Sequence, residues 1–512
     1  MRVIDNKALL LKVRNPHQIL NAIPASKYLG DHKVLVRWGI DESRVLKNLD
    51  IKEVPSPIMG KYGWVGQFAP MEHQKTTSAF LTMHQRCFCF NEQGTGKTAS
   101  AIWASDFLLT QKVIKRVLVL CPLSIMDSAW RADMFKFAMH RTVSIAYGSK
   151  TKREKIINSG SEYIIMNYNG VEIVQDAIAA GGFDLIIVDE ATHYKNPSTN
   201  RWKALNKLIN ANTWLWLMTG TPAAQSPVDA YGLARIVNPQ AVPRYMNAFK
   251  ETVMYKITKF RWVAKPNAID TVHRILQPAI RFTKEECLDL PELTYVKRHV
   301  ELSKQQHKYY EILRTKMRMI AAGEEITTAN AAVNMNKLLQ VSGGAVYSDE
   351  GDTITFDIRN RYKVLREVID ESSQKILIFV PYRHTIEVLS EALTKDKISN
   401  ACIHGGVKAG KRTEIFHHFQ TTEDPRVLVI QPQAAAHGVT LTAADTSVWW
   451  GPTPSMETWA QANARMHRSG QKHPCTVVQL EGSTVERHIY KMLGSRVDIH
   501  TKMIDLYKQV LE

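Results

Sequence analysis

Short, continuously apolar runs recur along this 512-residue chain, and they leave little choice of fold. From residue 67 they read Cys87–Phe90, Val117–Leu120, Tyr163–Met166, Leu185–Val188 and Trp214–Met218. Helical or loop segments separate them. A strand without a polar face is covered on both sides, the mark of a parallel sheet between two layers of helices. A second series follows: Ile376–Val380, Ala401–Ile403, Val427–Ile430, Thr446–Trp449 and Thr476–Leu480. The chain therefore reads as two α/β lobes of similar size, within the roughly three to four domains its length allows.

The stretches outside these series divide the chain. Residues 1–66 form a small module with strand candidates at Leu9–Leu11 and Val34–Val36 and a short Asp41-capped helix running to Leu49. Pro55 and Pro57, then Gly60, Gly63 and Gly66, mark its end. The first lobe spans 67–240 and the second 356–512. Between them, 241–355 lacks the strand rhythm, and Leu302–Ala322 and Thr328–Leu339 look helical. Near the end, Ser483 to Glu486 has the capping-box spacing of a helix start.

Composition excludes some classes and favours others. Hydrophobic residues make up 45% of the chain, ordinary for a globular protein. No apolar run approaches the ~20 residues that span a bilayer. Met1–Leu20 lacks a signal-peptide core. The expected location is the cytoplasm. Cys87, Cys89, Cys121, Cys287, Cys402 and Cys475 form no Cys-x-x-Cys pair and read as reduced thiols rather than a zinc site or disulfides. The net charge of +17 favours a polyanionic partner. Part of it sits in 250–284, where Lys250, Lys256, Lys259, Arg261, Lys265, Arg274, Arg281 and Lys284 face Glu251 and Asp270. That stretch fits either a solvated helical face or a nucleic-acid contact.

Chemistry enters at the strand ends. After Cys87–Phe90 come Gly94-Thr95-Gly96-Lys97-Thr98 and a helix-like run, Ala99–Leu109. Strand, glycine turn and helix together turn backbone N–H groups toward phosphate oxygens at a helix N-terminus. Lys97 can reach the β/γ-phosphates and Thr98 can ligate magnesium. Asn91 stands where the strict P-loop pattern has glycine. Strand Leu185–Val188 ends in Asp189-Glu190, which fit a metal-holding carboxylate and a base acting on the attacking water. Thr219-Gly220-Thr221-Pro222, after the fifth strand, reads either as a turn or as a hydroxyl-bearing loop linking the nucleotide to nucleic acid.

These residues resemble superfamily-two helicases, and within them the Swi/Snf-like group. Pro70-Met71-Glu72-His73-Gln74 is similar to the adenine-reading glutamine motif, with Gln74 as reader. Asn91 to Thr98 resembles the group's Asp-Glu-x-Gly-x-Gly-Lys-Thr, with Asn for Asp. Val119 to Ser124, followed by Trp130, and Met166-Asn167-Tyr168 match segments that contact one DNA strand. His193 stands one place beyond the usual Asp-Glu-Ala-His position, and Lys195-Asn196 falls where the group has Lys-Asn. In the second lobe, Gln433 to Thr442 resembles the loop that binds DNA and senses ATP, with Ala436 and His437 as departures. Gln461 to Gln471 resembles Gln-Ala-x-x-Arg-x-His-Arg-x-Gly-Gln.

The resemblance covers about residues 67–495 and is strongest to compact phage-encoded members, which points to a bacterial host cytoplasm. It implies two RecA-like lobes with a helical insertion, preceded by the small α+β module. ATP and Mg2+ would be held by Gln74, Gly94, Thr95, Gly96, Lys97, Thr98, Asp189 and Gln461. Thr98 and Asp189 would hold the metal, and Lys97, Glu190, Arg465 and Arg468 would carry catalysis. One helix face would present Gln461, Arg465 and Arg468 at i, i+4 and i+7, and the two arginines would neutralise the transferring phosphoryl group. Ser124, Tyr168, Gly438 and Thr440 would touch DNA. The expected protein is a monomeric ATP-driven translocase on duplex or branched DNA, largely indifferent to sequence. The alternatives are a strand-separating DNA or RNA helicase and a non-hydrolysing scaffold.

Overall fold

The computed structural model describes residues 1–494 apart from 221, 224–225, 258–261, 324–327, 348–352 and 436–438; the side chains of 318–332 and 409 lie outside the description. The chain forms two compact units. One comprises Met1–Pro222 and Pro227–Cys287, the other Ala223–Ser226 and Leu288–Glu512.

The first unit is built on a seven-stranded sheet. Its strands lie in the order Ala279–Ile280, Arg86–Cys89, Trp214–Met218, Leu185–Val188, Val117–Cys121, Tyr163–Asn167, Val143–Ile145. All the pairings are parallel. Val117–Cys121 and Trp214–Met218 are buried at every position, which is why their sequences show no polar alternation. Helix Lys97–Thr110 is buried from Ala99 to Leu109 and is mostly apolar around its circumference, its buried Asp106 paired with Arg141. The second unit repeats the plan with six parallel strands: Leu293–His299, Cys475–Glu481, Ala444–Trp449, Lys375–Phe379, Val427–Ile430 and Asn400–Ile403. The expected pair of parallel-sheet α/β lobes is therefore present.

At the start of the chain, an antiparallel sheet runs Arg2–Ile4, Ala8–Lys12, Lys33–Arg37, Lys27–Gly30. Leu9, Leu11, Val34 and Val36 point into a small core with Ile19, Trp38 and Leu46. Ile40 and Ile58 instead join the core around Leu81 and Cys87. The short helix begins at Ile40 with Gly39 as its cap, so Asp41 is not the capping residue; it lies in the first turn, where a carboxylate complements the helix dipole.

The 241–355 stretch is shared between the units. Ala279–Ile280 adds to the first sheet beside Arg86–Cys89, while Leu293–His299 pairs along its whole length with Cys475–Glu481 in the second. Lys304–Gly323 and Thr328–Gly343 are helical. Of the eight cations in 250–284, Lys259 and Arg261 lie outside the described residues. Ser483 and Glu486 form the expected capping box, Glu486 Nα donating to Ser483 Oγ (3.4 Å) and Ser483 Nα to Glu486 Oε2 (3.0 Å). The same carboxylate pairs with Arg361 at 2.8 Å, both side chains buried. All six cysteines are free, and burial pushes the Cys89 and Cys475 thiols up to about 11. Among the described residues no helix is long and apolar enough to cross a membrane.

Candidate nucleotide site

The glycine turn is held open by its own geometry. Gly94 (φ 86°) and Gly96 (φ 81°) occupy the left-handed region, where a side chain would be strained. A Cβ at Gly96 would lie 2.1 Å from Gln74 Nε2, so the glutamine packs directly on the loop. Gln74 Nε2 donates to Thr95 O (3.3 Å), its Oε1 accepts from Met71 N (2.9 Å), and His73 Nε2 lies 2.8 Å from Thr95 O. Gln74 thus braces the phosphate loop. His73, to which the motif assigns nothing, does the same.

Asn91 has a clear structural reason. It is buried, donates to Thr77 Oγ1 (2.8 Å) and accepts from Phe282 N (3.0 Å). A glycine here could tie the loop to neither the preceding helix nor the adjoining edge. Lys97 Nζ donates to the carbonyls of Asn91 (2.8 Å) and Glu92 (3.2 Å), so its ammonium lies folded against the loop. Thr98, half-buried, is the second residue of helix Lys97–Thr110.

Asp189 and Glu190 follow strand Leu185–Val188. One strand, Trp214–Met218, lies between theirs and that of the phosphate loop, so the two strand ends are about 10 Å apart. Pairing register puts Asp189 level with Met218 and Cys89. The Cys89 thiol, raised first by burial, is also lowered by Lys97 and raised by Asp189, so all three share one end of the sheet. Trp130 Nε1 donates to Asp189 Oδ2 at 2.9 Å in a buried contact, and Glu190 N donates to Oδ1 at 3.0 Å. The Tyr168 hydroxyl donates to the Asp189 carbonyl. Glu190 adopts φ 49°, a left-handed conformation costly for a non-glycine residue and concentrated at functional sites.

The oxygen donors fit magnesium. Thr98 offers a hydroxyl and Asp189 a carboxylate, and magnesium takes one or two carboxylates with nucleotide phosphates completing its shell. His193 packs on Tyr168 (ring centroids 4.9 Å apart) and sits 3.4 Å from Arg201 Nη1. Burial, then Arg201 and Lys195, lower its pKa.

The expected nucleic-acid contacts separate. Ser124 is exposed and Thr440 is exposed. Tyr168 is buried with its hydroxyl committed to Asp189, so it is not placed to touch a strand directly. Gly438, with Ala436 and His437, lies outside the described residues, as does Thr221.

In the second unit the helix Met456–Asn463 stops before the arginines. The expected single helical face for Gln461, Arg465 and Arg468 is therefore corrected. The chain turns after Ala464, with Arg465 N donating to Ala462 O and Met466 N to Asn463 O. Gln461 is buried and donates to Glu457 Oε1 (3.1 Å). Arg465 Nε donates to Gln461 O (3.1 Å) and Arg468 Nη1 to Val439 O (3.0 Å). Gln471 fixes the turn. Its buried amide donates to Ala444 O (2.8 Å), Met466 O (3.2 Å) and Thr442 O (3.4 Å), and its oxygen accepts from Lys472 N and His473 N. The motif places Gln471 in sequence, but its role in fixing the turn follows only from these bonds.

Residues 36–342 match the family model for the SNF2-related domain, which covers more than half of the chain. The chain belongs to the SNF2-related family. Residues 360–470 of this SNF2-related chain match the helicase conserved C-terminal domain. The chromodomain-helicase-DNA-binding protein 1-like of Danio rerio is 24% identical over 456 residues, covering 84% of this chain and 43% of that protein. Protein p41 of Acyrthosiphon pisum secondary endosymbiont phage 1 is 24% identical over 467 residues, covering 83% of this chain and 98% of its own. The chain thus spans less than half of the zebrafish relative and nearly all of the phage one. A solved SWI2/SNF2 ATPase core of Sulfolobus solfataricus, in complex with dsDNA, superposes with TM-score 0.42 at 20% identity, covering 85% of this chain and 94% of that one.

Proposed function

We propose that this chain is an ATP-driven motor that moves along double-stranded or branched DNA without strong sequence preference. The observation that carries this reading is the convergence of Lys97, Asp189 and Glu190 at one end of a parallel sheet, in a chain matching both family halves. Several relatives are named as helicases or DNA-binding proteins.

Gln74 and His73 set the phosphate loop, whose N–H groups and Lys97 receive the β- and γ-phosphates. Bound magnesium, held by Thr98 and Asp189, would neutralise charge on those phosphates. Glu190 orients the attacking water and accepts its proton. Arg465 and Arg468 stabilise charge on the transferring phosphoryl group. DNA is gripped mainly through phosphates, so binding weakens steeply with salt. Replacing Lys97 by Ala is expected to abolish hydrolysis while duplex binding, measured by anisotropy, survives. Equal loss of both would contradict separate sites.

A further inference from the structure

Trp130 is wholly buried, yet its indole N–H makes a polar contact with Asp189. It reaches the carboxylate from an unusual element. Met126–Arg131 forms a π-helical turn, in which Ala132 N–H reaches back to Asp127 O, five residues earlier. Such turns are rare and concentrate at functional sites. This one has two faces. Met126 and Trp130 of the turn, with Ile125 just before it, point into the core, while Asp127 and Ser128 of the turn, with Leu123 and Ser124 before it, are exposed. A regular α-helical turn would space these residues differently around the axis and turn the indole away.

Tyr168 reaches the same residue from the end of strand Tyr163–Asn167, two strands away in the sheet. Its hydroxyl donates to the Asp189 main-chain carbonyl, and its ring packs against His193 and Tyr194. Asp189 is therefore held from its side chain by Trp130 and from its backbone by Tyr168.

We propose that Trp130 and Tyr168 are positioning residues that aim the Asp189 carboxylate at the metal of the nucleotide. Asp127 and Ser128 on the exposed side of the π-helical turn, with Leu123 and Ser124 just before it, carry strand contact inward to that carboxylate. The proposal rests on the nucleotide-site reading above. It assigns these two residues a role toward the metal rather than toward DNA.

The test uses the full chain and measures ATP binding by calorimetry across a magnesium titration, beside hydrolysis with and without duplex DNA. Trp130→Phe keeps an aromatic ring and deletes the N–H; Tyr168→Phe deletes one hydroxyl. Loss of such an outer contact weakens metal binding by about tenfold or more. Trp130→Phe is expected to need about tenfold more magnesium for half-maximal strengthening of ATP binding, and to lose much of its stimulation by DNA. Tyr168→Phe should shift the same way by less. Wild-type magnesium dependence in a Trp130→Phe protein that melts normally overturns the proposal. Should Trp130→Phe melt low, unchanged magnesium dependence in Tyr168→Phe overturns it instead. If magnesium fails to strengthen ATP binding in the unaltered protein, the nucleotide-site reading itself fails.

Discussion

The two parallel sheets hold their motif residues in different ways. In the first unit, groups from separate strands and helices lock one another: Trp130 to Asp189, Gln74 and His73 to Thr95, Asn91 to Thr77 and Phe282. In the second, Arg465 donates to the Gln461 carbonyl in the last turn of helix Met456–Asn463 and Arg468 to the Val439 carbonyl, in a turn that Gln471 pins from inside. The first arrangement fits a preorganised site, whose groups are already aimed before the nucleotide arrives. The second fits groups that must exchange a backbone carbonyl for a phosphate.

The sharpest way to break this contrast is to remove a second-unit cation. Arg468→Ala is expected to lower kcat by about 10³-fold or more, the range for arginines of this kind, with little change in melting temperature. A large loss of stability with modest loss of turnover would make Arg468 a structural residue. Next comes the pin. Gln471→Ala leaves two buried carbonyls, Ala444 and Met466, and the half-buried Thr442 carbonyl without this donor and should cost roughly 2–3 kcal/mol, read as a lower denaturation midpoint. It should also reduce turnover by loosening Arg465 and Arg468. Unchanged stability would show that the turn is held elsewhere.

The smallest expected effect separates the units by acid. Burial lowers the His84 pKa to about 4, and the nearby Lys47 and Arg44 add to the shift. The unfolded chain takes up that proton first, near the ordinary value of 6.5. The stability His84 contributes is therefore present above 6.5 and lost as the pH falls toward about 4. His84→Gln should lose less stability than the wild type between about pH 7 and about pH 5, measured by thermal melting. Equal losses would place the acid sensitivity elsewhere.

Much of this was legible in the sequence because the governing patterns are local. Buried parallel strands read as apolar runs, Asp189 follows its strand directly, and Lys97 follows a glycine turn after its strand. Three strands of the two parallel sheets escape the apolar-run signal for physical reasons. Ala279–Ile280 has two residues and Val143–Ile145 three, too short to show a period. Leu293–His299 is an edge strand of its sheet and mostly exposed, so it carries Lys297 and Arg298 instead of a continuous apolar face. The helix through Arg468 was overextended because Gln461, Arg465 and Arg468 keep helical spacing, whereas the backbone turns after Ala464. The bonds of Trp130, His73 and Tyr168 join segments far apart in sequence, and no spacing rule reports such contacts.

The measurement that bears most directly on the central claim is steady-state ATP hydrolysis with no nucleic acid, single-stranded DNA, duplex DNA, forked DNA and RNA, each paired with Glu190→Gln. The account predicts stimulation chiefly by duplex or forked DNA, lost by about 10²-fold or more in the variant. Stimulation by single strands or RNA alone would contradict a duplex translocase, and absence of hydrolysis under every condition would contradict a motor.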